Sequence, residues 1–328
     1  MRTIQSLTPL SGDLNSTKKE NFMKAILIHQ YGGSEVLQFE TTKEPVMNPG
    51  EVLVRISATS VNPFDVKQRA GVYKEFIPLE FPAILGHDVS GTVAEIGPGV
   101  NNLKVGDQVF GQATQAYAEF CTVKAENLVK IPQGLDIIVA AALPTVLTTG
   151  STLVSKGINI LSGQTVLVTG AVGNVGRAAV FSAKERGAIV IAGVRKKQLK
   201  EAAALGADEV IAIDDEESFS KIPMLDAVAD TVGGLTAEKL MAKVNKGGIF
   251  GSVLGEPANA KNYPDVNVVA VYTEPDAQIL SSMVQAVING NLVMPTTVKF
   301  PLKEAKKAHE AFEKGGSGKI LLVVDSQL

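Results

Sequence analysis

The stretch Thr165-Val-Leu-Val-Thr-Gly-Ala-Val-Gly-Asn-Val-Gly176 decides how the rest of the chain is read. Five β-type residues run into three glycines, Gly170, Gly173 and Gly176, and a helix-forming stretch over residues 177–186 follows before Gly187. Strand, glycine-rich turn and helix, in that order, cradle a dinucleotide pyrophosphate. The glycines let the backbone turn tightly and approach the phosphates, and the helix N-terminus offers unpaired N–H groups and a positive dipole end. The strand and helix on either side separate this turn from the glycine triplets of ordinary loops.

A second strand follows over residues 188–193. In a dinucleotide fold the end of this strand meets the adenosine ribose: a carboxylate there bonds the 2′-hydroxyl of NAD, and basic residues accommodate the 2′-phosphate of NADP. Here Gly193 ends the strand, and Val194, Arg195, Lys196 and Lys197 come next. With no carboxylate in this run and three cations, Arg195 and Lys196 become candidate phosphate contacts and NADPH the expected cofactor. The alternative is a solvated basic start to the next helix.

A chain of 328 residues has room for two domains with sizeable cores. A net charge of −3 offers no electrostatic case for nucleic acid or an anionic membrane as partner. No sequence run reads as an apolar span of the ~20 residues that a bilayer needs. The single cysteine, Cys121, excludes an intramolecular disulfide and fits a reducing, cytoplasmic compartment. Residues 1–22 are polar, lack the apolar core of a secretory signal and read as a flexible leader.

From residue 23 to about 143 the pattern is mostly β, with strands expected over 24–28, 36–39, 51–57, 88–96 and 107–110 and Gly/Pro turns between them. Then strands alternate with helices. Strands are expected over 165–169, 189–192, 209–213, 226–230, 249–253 and 266–271, with helices over 197–205 and 237–244. This pattern describes a doubly wound parallel sheet. A helix over 277–289, a strand over 296–300, a helix over 302–314 and a strand over 319–324 resemble no further unit of that sheet. They are expected to return to the first domain. The expected division is therefore a β-rich catalytic domain of residues 23–145 and 275–328, and a dinucleotide-binding α/β domain of residues 146–274.

Along almost its whole length the chain resembles the zinc-free medium-chain dehydrogenase/reductases of the quinone oxidoreductase type. The matching segments include Ser60-Val-Asn-Pro-Phe-Asp65, Arg69-Ala-Gly-Val-Tyr73, Gly86-His-Asp-Val-Ser-Gly-Thr-Val-Ala-Glu-Ile-Gly97, Val105-Gly-Asp-Gln-Val-Phe-Gly111, Asp230-Thr-Val-Gly-Gly234 and Gly318-Lys-Ile-Leu-Leu-Val323. The resemblance implies a GroES-like catalytic domain beside a Rossmann domain. It also implies hydride transfer from NADPH to a quinone or an α,β-unsaturated ketone or aldehyde. A 2-enoyl thioester reductase and a weakly catalytic NADPH-binding protein are the alternatives.

Zinc-dependent relatives hold their metal with Cys and His. Here Asn62 stands where the first ligand cysteine falls, and His87, at the ligand histidine's place, has no cysteine partners. Gly111 runs to Ala116 without a cysteine lobe. No metal is therefore expected, since tetrahedral zinc needs three or four converging ligands.

Among polar residues of the first domain, Asn62 either orients the nicotinamide ribose or acceptor, or caps the turn before Pro63. Asp65 caps a helix or serves as a catalytic acid. Tyr73 donates to a substrate oxygen or is structural. His87 reads as a satisfied core histidine. On the cofactor side the resemblance implies Thr148 beside the nicotinamide and Ala171, Gly173, Asn174 and Val175 at the pyrophosphate. Leu254 and Gly255 should border the nicotinamide, with Lys319 nearby. Asn174 replaces the commoner glycine, adding a side-chain contact or merely tolerating a positive φ. The apolar run 266–271 falls where similar proteins pair their sheets across a two-fold axis, which implies a homodimer.

Overall fold

The computed structural model describes residues 21–316 and 318–324. Residues 1–20 of the expected leader lie outside them, and the first strand already includes Phe22.

The chain opens with β1 (Phe22–Ile28), β2 (Gln38–Lys43) and β3 (Glu51–Ser60), followed by helix α1 (Pro63–Arg69). Five strands follow: β4 (Ala83–Ile84), β5 (Asp88–Ile96), β6 (Gln108–Gln112), β7 (Phe120–Lys124) and β8 (Leu128–Lys130). Helices α2 (Ile137–Ala140) and α3 (Pro144–Thr152) lead into the second domain. There β9 (Thr165–Thr169), α4 (Asn174–Glu185), β10 (Ile189–Val194), α5 (Leu199–Ala202), β11 (Glu209–Ala212) and α6 (Glu216–Ser220) form one half. The other half is β12 (Leu225–Asp230), α7 (Gly234–Met241), β13 (Val244–Ser252) and β14 (Asn267–Ala270). The chain returns through α8 (Ala277–Ile288), β15 (Thr297–Pro301), α9 (Ala305–Lys314) and β16 (Lys319–Val323).

The second domain is a six-stranded parallel sheet in the order β11-β10-β9-β12-β13-β14, the doubly wound arrangement with its switch point beside β9. Its strands are buried on both faces. Val166, Val168, Val190 and Ala192 pack with helix residues Ala179, Val180 and Ala183, and Leu167, Ile191 and Val228 pack with Leu240 and Met241. Such strands carry near-continuous apolar runs, which is why their sequence signal is strong.

The first domain is a seven-stranded sheet, β15-β16-β3-β5-β6-β8 with β7 also on β3, beside a three-stranded sheet β2-β1-β4. The C-terminal return expected from sequence is therefore present: β16 pairs antiparallel with β3, Leu321 opposite Ser60. The helix α8 bridges the two domains. Leu280, Met283 and Val284 share one core with Leu143, Leu147 and Phe110 and with Ala178 of α4.

Three expectations need correction. The strand expected over 36–39 begins only at Gln38, because Ser34–Val36 forms a 3-10 turn in which the Glu35 carboxylate accepts the Gly33 N–H. The helix expected over 197–205 is a 3-10 turn followed by the four residues of α5. The third concerns apolar runs: Ile137–Gly157 is a helical stretch of 21 residues with a mean hydropathy of 1.8, long and apolar enough to cross a membrane by composition. About 72% of its most apolar window is buried inside the protein. There it packs as a core element, with Leu147, Leu153 and Val154 inaccessible.

Candidate active site

The carboxyl ends of β9, β10, β12 and β13 share one edge of the parallel sheet, where ligands of such sheets bind. Gly170 leaves β9 with φ +59, and a Cβ there would lie 2.8 Å from Thr231 Oγ1. Thr231 in turn donates its hydroxyl to Thr169 O at 2.7 Å, so β12 is laced to the glycine turn. Gly176, in the first turn of α4, leaves no room for a side chain: a Cβ there would overlap the Gly170 carbonyl oxygen. Gly173 is the N-cap of α4, and Asn174 and Val175 open it. Asn174 has no positive φ, so that reason for its presence is excluded. Its side-chain oxygen is buried without a hydrogen-bond partner, and the Thr148 hydroxyl on α3 is buried without one too.

Two orphaned acceptors at positions expected to face a cofactor, beside a turn cleared of side chains, fit a nicotinamide dinucleotide. A buried polar atom left unpaired costs on the order of 1–3 kcal/mol. Ala171 is wholly buried behind the turn. When bound, the reduced nicotinamide supplies hydride. Leu254 and Gly255 follow β13 and line a cavity of about 230 Å³ with Gly233 and Gly234.

At the ribose end, Gly193 lies within β10 rather than at its end. Arg195 and Lys196 follow it into the 3-10 turn. The expectation that carboxylates are absent there is corrected by β11, whose following residues bring two. Asp214 accepts the Lys196 N–H at 2.7 Å, and Asp215 pairs with the Lys196 ammonium at 2.7 Å. That ion pair raises the Lys196 pKa and holds the Asp215 carboxyl down at about 2. Such an exposed pair is weak.

On the first domain a buried polar network joins residues far apart in sequence. Asn62 and Asp65 form a capping box at the start of α1, with the Asn62 N–H bonded to Asp65 Oδ2 at 2.8 Å. The capping readings of both residues are thus realised. The Asn62 amide also donates to Asp88 at 2.9 Å and accepts from the Lys319 ammonium at 2.6 Å. Asp88 further accepts the Thr145 backbone N–H at 2.8 Å and its hydroxyl at 2.7 Å, and the Ser60 hydroxyl. Through Asp88 the network fastens the start of α3, the helix that carries Thr148. Lys319 is therefore a partner of Asn62, inside this buried network. Burial pulls the Lys319 pKa down, against the charges of Asp88 and Asp65.

Asp65 is fully buried and accepts from three donors: the Asn62 N–H, Tyr117 Oη at 3.3 Å and His87 Nδ1 at 2.6 Å. It reaches no solvent, which removes it as an acid acting directly on substrate. His87 is not the satisfied core histidine expected from sequence. One quarter of its side chain is exposed at 25%, and its edge meets the Phe64 ring at 4.6 Å. Burial lowers the His87 pKa, but the hydrogen bond and charge of Asp65, helped by Asp88, outweigh it and leave it raised. Phe64 stacks at 5.2 Å on Tyr73, which is half-buried with its hydroxyl unpartnered among the described residues. Sequence reasoning missed Asp88, Thr145 and Tyr117. The clue available for Asp88 was a carboxylate inside the apolar strand that opens Asp88-Val-Ser-Gly91.

The residues present do not fit zinc. Among the described residues no group of three His, Cys, Asp or Glu side chains converges on one point. The Asn62 amide is committed to Asp88 and Lys319, and Cys121 is buried with its thiol pushed up to about 12.

Residues 48–133 match the alcohol dehydrogenase GroES-like domain, and residues 205–322 match the zinc-binding dehydrogenase family. The chloroplast envelope quinone oxidoreductase homolog of Arabidopsis thaliana is 31% identical, over 92% of this chain and 98% of its own. The chain belongs to the medium-chain dehydrogenase/reductase family, in its quinone oxidoreductase branch. It is thus a nicotinamide-dependent oxidoreductase with a GroES-like domain and a Rossmann-like sheet. The chloroplastic NADPH-dependent alkenal/one oxidoreductase of the same plant is 30% identical over 69% of this chain, which spans 61% of that protein. The solved quinone oxidoreductase of Coxiella burnetii superposes with a TM-score of 0.82, at 28% identity over 93% of this chain and 100% of its own.

Proposed function

We propose that this oxidoreductase uses NADPH to reduce a quinone, or an α,β-unsaturated ketone or aldehyde at its β-carbon, without a metal. The observation that carries this reading is the Phe64–Tyr73 ring pair, stacked at 5.2 Å with an interplanar angle of 23°. A flat aromatic wall suits a planar conjugated acceptor. The Tyr73 hydroxyl, without a partner among the described residues, would donate to the oxygen on which negative charge develops. Asn62, with its amide donating to Asp88 and accepting from Lys319, holds this network in place and is no proton carrier.

NADPH is favoured by Arg195, which is exposed and in no ion pair among the described residues, and by the NADPH dependence in the name of the alkenal/one relative. The edge strand β14 supports a homodimer, since among the described residues it pairs only with β13. Tyr272 just beyond it is 86% exposed. The buried free thiol of Cys121 is in keeping with a reducing, cytoplasmic setting.

The test is the loss of reduced-nicotinamide absorbance, with NADPH and NADH in parallel, against quinones, alkenals and enones. Turnover with NADPH on either acceptor class supports the proposal. Binding of NADPH without turnover on any of them overturns it in favour of a non-catalytic protein.

A further inference from the structure

Hydride transfer to a conjugated acceptor leaves an enolate or a quinol oxyanion, and that oxygen or the α-carbon must gain one proton. Tyr73 can stabilise the charge, but a phenol is a poor source of a proton at neutral pH. The chain holds a better one close by.

The hydrogen-bond directions around Asp65 are fixed by chemistry. Arg69 is always a donor, so its 3.0 Å contact with His309 makes Nδ1 of that ring an acceptor. His309 then carries its proton on Nε2, which points to Tyr117 Oη at 3.1 Å, and the Tyr117 hydroxyl donates onward to Asp65. Burial and the Asp65 charge raise the Tyr117 pKa far above its ordinary value, so this phenol stays protonated. Burial lowers that of His309 to about 4, so this imidazole stays neutral. With the Asn62 N–H also pointing at it, Asp65 accepts from every side. Its contact with His87 therefore runs from Nδ1–H to carboxylate. That leaves Nε2 of His87, on a ring one quarter exposed, without a partner among the described residues. The ring abuts Phe64, whose other neighbour is Tyr73. The next residue, Asp88, is bonded to Asn62 and to the start of α3.

We propose that His87 is the proton donor of the reaction, delivering the proton on Nε2 to the reduced acceptor, and that Asp65 is its positioning residue. This rests on the reductase reading above. The acceptor gains hydride from the reduced nicotinamide and one proton from the His87 imidazolium. The imidazole is left neutral with its Nδ1–H still on Asp65, and it regains a proton from solvent through its exposed edge. The charged groups that face His87 are Asp65 on α1 and Asp88 on β5. Lys319 on β16 lies behind Asp88, and Tyr117 and Arg69 lie behind Asp65.

Two measurements decide it. Nitrogen-15 imidazole resonances of the full chain, titrated without substrate, should place the neutral proton of His87 on Nδ1 and its pKa above the ordinary value of about 6.5. Asp65→Asn should lower that pKa. A neutral His87 protonated on Nε2 overturns the proposal. In turnover, kcat should fall as pH rises through the His87 pKa, and Asp65→Asn should move that limb to lower pH. His87→Gln should lower kcat on the order of 10²-fold and abolish the limb, while the KM for NADPH stays unchanged. A His87→Gln enzyme that keeps both the rate and the limb also overturns it. If the unaltered chain reduces no acceptor, the reductase reading fails by itself, and the resonances still decide whether Asp65 poises His87 as an acid.

Discussion

The ammonium of Lys319 lies 2.6 Å from the side-chain oxygen of Asn62, across 257 positions of sequence. Lys319 is 4% exposed and has a second contact with Asp88 at 3.6 Å. The last strand thus supplies the only positive charge in contact with this Asn62–Asp88 pair among the described residues.

Lys319→Met keeps the bulk and removes the charge. Removing one member of a buried charged network leaves the others unpaired, at a cost of about 3 kcal/mol. Urea unfolding followed by circular dichroism should show that loss with an unchanged m-value. An unchanged midpoint would mean that the four other donors to Asp88 suffice.

His309 should set the acid limb of stability. Its folded pKa of about 4 lies below the ordinary histidine value of 6.5, so its contribution is fully present above 6.5. As pH falls from there through 4 the unfolded chain binds the proton first, and stability drops by roughly 3 kcal/mol. His87, with its raised pKa, acts in the opposite sense: its contribution is present below 6.5 and fades as pH rises. His309→Gln can still accept from Arg69 and donate to Tyr117. Denaturation midpoints for this variant should be flatter between pH 6.5 and 4 than those of the unaltered chain.

If NADPH binds as proposed, Asp215 would compete with its 2′-phosphate for the Lys196 ammonium. Asp215→Asn should release Lys196 and lower the KM for NADPH by about fivefold, equivalent to ~1 kcal/mol, with little change for NADH. Arg195→Ala should raise the NADPH value by a similar factor. Equal effects on both cofactors in steady-state kinetics would remove these side chains from phosphate recognition.

The exposed edge of β14 should carry a two-fold contact. Sedimentation velocity at micromolar concentration should give twice the 34.5 kDa chain mass. Val269→Asp, which places a charge within the edge strand, should return the monomer. A monomer in the unaltered chain at that concentration would end the dimer proposal.

The dinucleotide-binding sheet was readable because its signals are local. Val166 to Val168 form an apolar run that only a doubly covered strand tolerates, and Gly170 and Gly176 stand where backbone geometry admits no side chain. The polar network of the first domain was much less so. Asn62, Asp65 and Tyr73 were visible as polar residues in a recognisable segment, but their partners come from elsewhere: Asp88 from β5, Thr145 from α3, Tyr117 from a loop and Lys319 from β16. No periodicity reports a contact between residues that distant. His87 was misread for the same reason, since one partner and one open nitrogen look alike in sequence to full satisfaction. Asp214 and Asp215 were missed at the ribose end because they arrive from a neighbouring strand, outside the window that held the cations.

Strand β3 is divided between partners made at different times: Glu51–Arg55 pair with β7, while Ala58–Ser60 pair with β16. During synthesis the parallel sheet, contiguous from β9 to β14, has all its strands before β16 exists. The earlier sheet must then wait with its upper edge open. Non-local closure of this kind is slow. The first sheet is therefore complete only when the last strand docks and brings its buried lysine to Asn62 and Asp88.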